Sequence, residues 1–189
     1  MEPIYIEHNI LKALLLTAGK NDARIFLNGI QVEYSEKGVL LVTIDGHRIS
    51  VARVDYVGDE FDSFIVPRTL IEGAKGKAYH PCRLSCDQGI VFFTHTAETR
   101  ARKLEGTYPQ WRRIIPREFS GEAAVFNPTY YGDLGKAEKL LGMPEFSFFM
   151  RLNGEKPSLY LPNSDFAIYI MGKRAPDKWV PFETPEWIA

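Results

Sequence analysis

One turn of this 189-residue chain places side chains together that could do acid–base chemistry. Asp45 and His47 flank Gly46, and an aspartate close to a histidine is a minimal set for proton transfer. Neighbouring residues of a strand point to opposite faces, however, and the sequence offers Asp45 no obvious second partner. It also offers no nucleophile–base pair and no metal cluster, so a small hydrolase is the least favoured interpretation.

A second set of reactive residues contains thiols and imidazoles. Cys82 and Cys86 lie in a predicted strand, which puts them on one face but about 13 Å apart, too far for a disulfide. With His80 and His95 they make a zinc site conceivable, although the spacing matches no usual pair of ligand pairs. We therefore predict two reduced thiols, no metal site and no cofactor.

The composition is that of an ordinary globular chain, with 45% hydrophobic and 25% charged residues. The length suits one domain or one and a half. A net charge of -1 argues against a generally basic nucleic-acid binder, but a local basic surface is compatible with a neutral total. No apolar run approaches the roughly 20 residues that span a bilayer, and the chain starts without a signal-peptide pattern. We predict a cytoplasmic protein with no membrane partner.

The turn at Asp45-Gly46 belongs to a pattern of strand, helix and three strands that the chain repeats three times. The first unit, residues 1–56, is predicted to contain the strand Ile4–Glu7, the helix Ile10–Gly19 with Asn9 as N-cap and Gly19 as its end, and the strands Arg24–Tyr34, Gly38–Ile44 and Arg48–Val54. The second unit, residues 57–106, is predicted to contain the strand Asp62–Val66, the helix Leu70–Lys75 with Pro67 at its start, and the strands Cys82–Cys86, Gly89–Thr94 and Thr99–Leu104.

The third unit, residues 122–174, follows a linker of residues 107–121. It is predicted to contain the strand Ala123–Phe126, the helix Thr129–Leu141 between Asn127-Pro128 and Gly142, and the strands Glu145–Leu152, Ser158–Leu161 and Phe166–Met171. A tail of residues 175–189 is rich in proline and aromatic residues. We expect it to pack as a strap, with the alternative that Trp179 or Trp187 occupies a binding pocket until displaced.

Several motifs occur in a fixed order: Leu27-Asn28-Gly29, Thr43-Ile44-Asp45-Gly46-His47-Arg48, Val66-Pro67-Arg68 and Tyr108-Pro109-Gln110-Trp111-Arg112-Arg113. In this order they resemble the middle domain of the bacterial DNA polymerase III beta sliding clamp family. Phe126-Asn127-Pro128-Thr129-Tyr130 and Ile168–Arg174 resemble the second half of the family's last domain, with Gly172 in place of a proline. The resemblance implies an α+β DNA-clamp fold of three units with helices on one face of antiparallel sheets. Residues 1–106 would form a complete clamp domain and residues 122–174 half of one.

The resemblance also implies a binding pocket. Partners of the family insert a short peptide of the Gln-Leu-aromatic type at the junction of the middle and last domains. Carried over residue by residue, this pocket would be lined by Arg24, Leu27, Ile44, Gly46, His47, Arg48, Ile49, Pro109, Arg113, Ile114, Ser158, Tyr169, Ile170 and Met171. Ile44 stands where the family has threonine, and Tyr169 where it has valine.

The function that the resemblance implies is that of a non-catalytic processivity factor, compact enough for a phage or another mobile element. Clamps of the family have twelve units to a ring, so a three-unit chain implies a homotetramer. It would encircle double-stranded DNA and bind a DNA polymerase and a clamp loader through short peptides. The helices would present these cations to DNA: Lys12, Lys20, Arg68, Lys75, Lys77, Lys136 and Lys139. The alternative is a monomeric decoy or adaptor that binds the same peptides without encircling DNA.

Overall fold

The computed structural model of the chain describes residues 1–74, 81–143 and 150–174 together with Trp187. Its strands are β1 (Ile4–Glu7), β2 (Gly29–Ser35), β3 (Gly38–Ile44), β4 (Arg48–Val54), β5 (Phe64–Pro67), β6 (Pro81–Asp87), β7 (Ile90–Thr94), β8 (Glu98–Arg102), β9 (Met150–Arg151), β10 (Pro157–Asn163) and β11 (Phe166–Met171). Its α-helices are α1 (His8–Leu15), α2 (Arg68–Glu72) and α3 (Pro128–Leu141), and 3-10 turns form at Ile25–Leu27 and Trp111–Arg113.

The described strands form two antiparallel sheets. A four-stranded sheet has the order β1-β6-β7-β8, and a seven-stranded sheet has the order β5-β2-β3-β4-β11-β10-β9. The α+β fold class with antiparallel sheets, predicted from the repeated pattern and the family resemblance, is confirmed.

The first two units exchange their first strands, a contact that we call the exchanged junction. β1 pairs with β6, where Ile4 lies opposite Leu84, and β5 pairs with β2, where Val66 lies opposite Ile30. Each sheet is therefore completed by a strand from the other unit, and the first two units form one interlocked body.

The third unit joins the first by strand pairing along one sheet edge, a contact that we call the edge junction. β11 pairs with β4, with Tyr169 opposite Ile49. The pairing continues at the turn after Ile44, where the Met171 amide donates to the His47 carbonyl over 2.9 Å. One sheet consequently runs through both units.

The helices pack on one face of the sheets, where α1 contacts both α2 and α3. Leu11 and Leu14 of α1 and Leu134 and Ala137 of α3 are all at most 1% exposed and join one apolar core. Their spacing of three residues places each pair on one side of its helix, which is why these segments form amphipathic helices.

The linker covers the opposite face of the seven-stranded sheet. Tyr108 is buried and donates its hydroxyl to the Val42 carbonyl over 3.1 Å. Trp111 donates its indole N–H to Glu33 over 3.1 Å and packs in a cluster with Leu27 and Val42. The linker is thus a layer packed on the first unit.

The sequence predicts the ends of α3 correctly but not those of α1. Asn127 caps α3 by accepting the Thr129 amide over 3.1 Å, and Gly142 ends the helix with a positive φ of 67°, both as predicted. The prediction for α1 is wrong, because the helix begins at His8 and ends at Leu15, and Asn9 lies within its first turn.

The early end of α1 has a cause that lies far away in the sequence. The Arg68 guanidinium donates to the carbonyls of Leu15, Ala18 and Gly19 over 3.0, 3.0 and 3.3 Å. These groups would otherwise need a further helical turn or water as partners. Because Arg68 satisfies them, the chain can leave the helix four residues before Gly19.

Other boundaries differ by smaller amounts. The strand predicted from Arg24 begins only at Gly29, because residues 25–27 form a 3-10 turn. The strand predicted at Ala123–Phe126 is reduced to a single bridge between Val125 and Lys173. Most of the predicted strand at 145–152 and most of the tail lie outside the described residues, and Trp187 is 84% exposed. Of the described helices, none has the length and apolar character needed to cross a membrane.

Candidate functional site

A cavity of ≈ 240 Å³ lies at the edge junction, beside the linker. It opens where the 3-10 turn before β2, the β3–β4 turn, the linker and the ends of β10 and β11 meet. It is lined by Arg24, Leu27, Ile44, Gly46, His47, Arg48, Ile49, Pro109, Ile114, Pro157, Tyr169 and Met171.

The β3–β4 turn shapes one wall of this cavity. Gly46 has a φ of +93°, a conformation that favours glycine. One Asp45 carboxylate oxygen accepts the amides of His47 and Arg48 over 2.9 and 2.7 Å, which fixes the turn. The His47 ring stacks on Tyr130 of α3 with centroids 5.8 Å apart. Asp45 therefore supports the backbone, and the geometry gives no support to a hydrolase that uses Asp45 and His47.

The floor of the cavity is apolar and its rim is accessible. Leu27, Ile44 and Ile49 are at most 5% exposed, whereas Ile114 and Met171 are 44% and 37% exposed. Tyr169 is half-buried on the same face, and burial raises the pKa of its hydroxyl. The cavity can thus receive an apolar group from solvent without displacing the core.

Arg48 does not act as a free rim cation. Its guanidinium donates to Asp45 over 2.8 Å, to Asp133 of α3 over 2.6 Å and to the Leu16 carbonyl over 2.8 Å. It also lies 4.3 Å from the centroid of the Tyr130 ring. The side chain is only 8% exposed. Arg48 therefore joins the first unit to the third, and contributes mainly its apolar stem to the cavity wall.

Asp133 lies at the centre of this contact. Burial favours its protonated form, but hydrogen bonds from Lys136 and Arg48 outweigh burial and lower its pKa. The carboxylate is 13% exposed and accepts from Lys136 over 2.6 Å. Asp133 is thus charged and paired at neutral pH.

Arg24 supplies the accessible cation at the cavity. Its guanidinium is 54% exposed and pairs with Asp22 over 2.9 Å. The hydrogen bonds from Arg24 lower the pKa of Asp22 to about 2. Arg24 is therefore oriented by Asp22 while part of its donor surface still faces solvent.

Three residues of the predicted pocket do not line the cavity: Arg113, Ser158 and Ile170. Ser158 and Ile170 face each other across β10 and β11 and are fully buried on the core side. Arg113 instead lines a larger cleft of ≈ 520 Å³ beneath the linker. Pro157, which the prediction missed, does line the cavity because it lies opposite Met171. Strand alternation could have revealed this, since Pro157, Tyr169 and Met171 share one face of the sheet.

The cations predicted to face DNA occupy different environments. Arg68 is bound to α1 carbonyls and pairs with Glu72 over 2.8 Å, and Lys136 pairs with Asp133. Lys20 and Lys139 are exposed, and Lys12 is partly buried. Lys75 and Lys77 lie outside the described residues. The helical surface is therefore less basic than the seven residues suggest.

Comparison with known proteins identifies the relatives of the chain. A family model described as the central domain of the DNA polymerase III beta subunit matches residues 6–110. The chain is 25% identical over 121 residues to the beta sliding clamp of Borreliella burgdorferi, covering 61% of this chain and 31% of the relative. It is 28% identical over 114 residues to that of Haemophilus influenzae, covering 57% and 31%. The matched region thus spans about a third of these curated relatives.

Solved structures share the fold over most of the described chain. The DNA polymerase sliding clamp from Bacillus subtilis matches with a TM-score of 0.72 at 15% identity, covering 92% of this chain and 64% of that one. A sliding clamp from Pseudomonas aeruginosa, solved with a ligand, matches with a TM-score of 0.68 at 16% identity, covering 92% and 66%. At these identities the likeness establishes the fold alone.

Proposed function

We propose that this chain, which belongs to the family of the DNA polymerase III beta subunit, the beta sliding clamp, is itself a DNA sliding clamp. Copies of the chain form a ring around duplex DNA, and the ring tethers a DNA polymerase in the cytoplasm without catalysing a reaction. The observation that carries this proposal is the cavity at the edge junction. A single chain supplies all its lining residues, although the chain matches about a third of each relative.

The proposed occupant of the cavity is a short peptide with one or two apolar anchors. At ≈ 240 Å³ the cavity is smaller than the roughly 300–1,000 Å³ typical of ligand and cofactor pockets. Its buried floor of Leu27, Ile44 and Ile49 suits an aliphatic side chain, and the rim at Ile114 and Met171 suits an aromatic one. The exposed donors of Arg24 can hold a peptide carbonyl. A Gln-Leu-aromatic peptide from a polymerase or clamp loader has these features.

The proposed ring contains four copies of the chain, because four chains of three units each give the twelve units of the family's rings. The edge strands of the two described sheets are β1 and β8, and β5 and β9, and an edge strand is a place where pairing can continue into another copy. Within the chain, β4 continues into β11 in this way. With an odd number of units per chain, neighbouring copies face opposite ways and their contacts are isologous.

The proposed contact with DNA is weak and electrostatic. Of the predicted cations, Lys139 and Lys136 are exposed on α3, where Lys136 pairs with Asp133, and Lys20 is exposed after α1, on which Lys12 is partly buried. A ring does not need tight phosphate binding, because topology retains it, and weak contacts allow sliding.

Two measurements test the ring. Light scattering should give a mass four times that of the 21.5-kDa chain. The protein should be retained on nicked circular DNA and released when the same DNA is cut, because only a closed circle keeps a ring topologically linked. Retention that survives cutting, or a monomeric mass at the same concentration, would contradict encirclement.

The decoy or adaptor function stays the second candidate because the cavity lies within one chain. A monomer would keep its peptide affinity while showing no linkage to circular DNA. Peptide binding measured together with the mass therefore separates the two candidates.

A further inference from the structure

Three potential metal ligands meet at the base of α1, away from the cavity. They are His8 at the first position of α1, Cys82 of β6 and His95, which follows β7. One ligand atom from each side chain lies within 4.8 Å of the other two. The two imidazole rings have centroids 4.4 Å apart, and His8 also packs near Phe93.

The imidazoles in this cluster have buried polar atoms without partners. Both ring nitrogens of His8 and both of His95 are buried, and none has hydrogen-bond geometry to a described group. The Ile71 backbone approaches His8 and acts to raise its pKa, but the approach does not have the geometry of a hydrogen bond. A buried donor or acceptor left unsatisfied costs about 1–3 kcal/mol. A ligand that bonds to these ring nitrogens would therefore stabilise the fold.

We propose that His8, Cys82 and His95 bind a divalent transition-metal ion of the Zn²⁺ class. Two imidazole nitrogens and a thiolate form a donor set that zinc prefers, with bonds of about 2.0–2.3 Å. Donors in a tetrahedral site of that size lie about 3.5 Å apart, so atoms now within 4.8 Å of one another need to approach by no more than about 1.3 Å. A cavity of ≈ 200 Å³ beside His95 gives water access to the remaining coordination position.

The protonation state of His8 suits this role, whereas Cys82 must lose its proton when the metal binds. Burial, together with Lys12 and His95, lowers the pKa of His8 to about 4, so its ring is neutral and can donate a lone pair at physiological pH. Burial raises the pKa of Cys82 to about 11. The thiol proton is therefore released to solvent as the metal–sulfur bond forms, and metal binding should weaken on acidification.

The site would have a structural role. His8 begins the helix after β1, whereas Cys82 and His95 belong to the segment that supplies β6 and β7. A bound ion would link the first unit to the second across the exchanged junction. The sequence places Cys82 and His95 in one candidate set with Cys86 and with His80, which lies outside the described residues. It does not indicate His8, because this ligand comes from a distant part of the sequence.

Cobalt provides the test because it reports on its ligands. The full chain is stripped with a chelator and titrated with Co²⁺. We expect one ion per chain, with a thiolate-to-cobalt charge-transfer band and the visible bands of a four-coordinate site. Cys82→Ala should abolish the charge-transfer band. Cys86→Ala is the matched control, because it removes the other thiol of the same strand, and it should keep the band.

A second variant and a second measurement cover the case in which Cys82→Ala fails to fold. His95 is only partly buried, and His95→Ala should fold by circular dichroism yet bind Co²⁺ about tenfold or more weakly. Zn²⁺ should raise the melting temperature of the unmodified chain but not of His95→Ala. The absence of the charge-transfer band in the unmodified chain would overturn the proposal. Equal Co²⁺ binding by unmodified chain and His95→Ala would also overturn it, by assigning the ion to an adventitious surface site.

Discussion

The exchanged junction and the edge junction join the same first unit to its two neighbours by different means. At the exchanged junction, Ile4, Ile6 and Leu84 are at most 1% exposed, and apolar packing accompanies the strand pairing. At the edge junction the sheets meet along one strand pair, α1 packs against α3 beside it, and Arg48 adds ionic contacts to Asp45 and Asp133. The cavity lies at the edge junction. The comparison shows that the cavity forms where each unit keeps its own strands and ionic contacts supplement the apolar packing, and not where strands are exchanged.

The largest change in the free energy of unfolding should come from removing Arg48, the central cation of the edge junction. Arg48→Ala leaves Asp45 and Asp133, at 14% and 13% exposure, without their shared partner. Breaking one side of a buried ion pair costs about 3–5 kcal/mol, and we expect that loss in the free energy of unfolding by urea. Arg24→Ala, which breaks the exposed pair with Asp22, is the control and should cost much less, because solvent screens an exposed pair. Equal losses would contradict a special role for Arg48.

A slightly smaller loss should follow from an apolar change at the exchanged junction. Ile4→Ala removes a fully buried side chain, and we expect unfolding to become easier by about 2–5 kcal/mol. Peptide affinity of the folded fraction, measured by fluorescence polarisation, should stay within about twofold, since the cavity lies elsewhere. A large fall in affinity would show that the two junctions are not independent.

At the cavity rim we expect the opposite result, a loss of peptide affinity with little change in stability. Met171→Ala should weaken binding of a Gln-Leu-aromatic peptide by about tenfold, the scale of a modest interface hot spot, with little change in unfolding free energy. Leu161→Ala is the matched control, because this side chain is similarly exposed, at 43% against 37%, and does not line the cavity. Calorimetry of both variants checks the difference. Equal affinities would place the peptide elsewhere.

The smallest predicted effect is on the pH dependence of the free energy of unfolding. Hydrogen bonds lower the pKa of Asp133 in the folded chain, so Asp133 stabilises the fold above its unfolded pKa of about 3.8, and this stability is lost as the pH falls through the folded value. Asp133→Asn should therefore make unfolding free energy less dependent on pH below about pH 4, by at most about 1.4 kcal/mol per pH unit. Denaturant titrations of both proteins at a series of acidic pH values check this. Identical slopes would contradict the charged pairing at the edge junction.

Local sequence patterns predicted the local parts of this fold. The bounds of β3, β4 and α3 follow from the strand-like runs on either side of the Asp45-Gly46 turn and from the Asn127 and Gly142 caps, all of which act within a few residues. Features that depend on distant partners were missed. The end of α1 depends on Arg68, and the role of Arg48 depends on Asp133, which lies 85 residues away.

The candidate site shows the same division. The family resemblance predicted most of the residues that line the cavity. It also included Ser158 and Ile170, whose side chains point to the core because of the β10–β11 register. Register is a property of two paired strands, and a shift of one residue moves every side chain of a strand to the other face of the sheet. Pro157 lies on the cavity face because it pairs with Met171, but the predicted strand began one residue later, at Ser158.

The strand exchange also constrains how the chain can fold during its synthesis. β1 leaves the ribosome early, yet its partner β6 begins only at Pro81, so the first strand must wait for most of the second unit. Contacts of such sequence separation are slow to form, and an unpaired apolar strand is prone to aggregate in the interval. The first 56 residues are consequently not an autonomous folding unit, and a growing chain gains its native topology only after the second repeat has emerged.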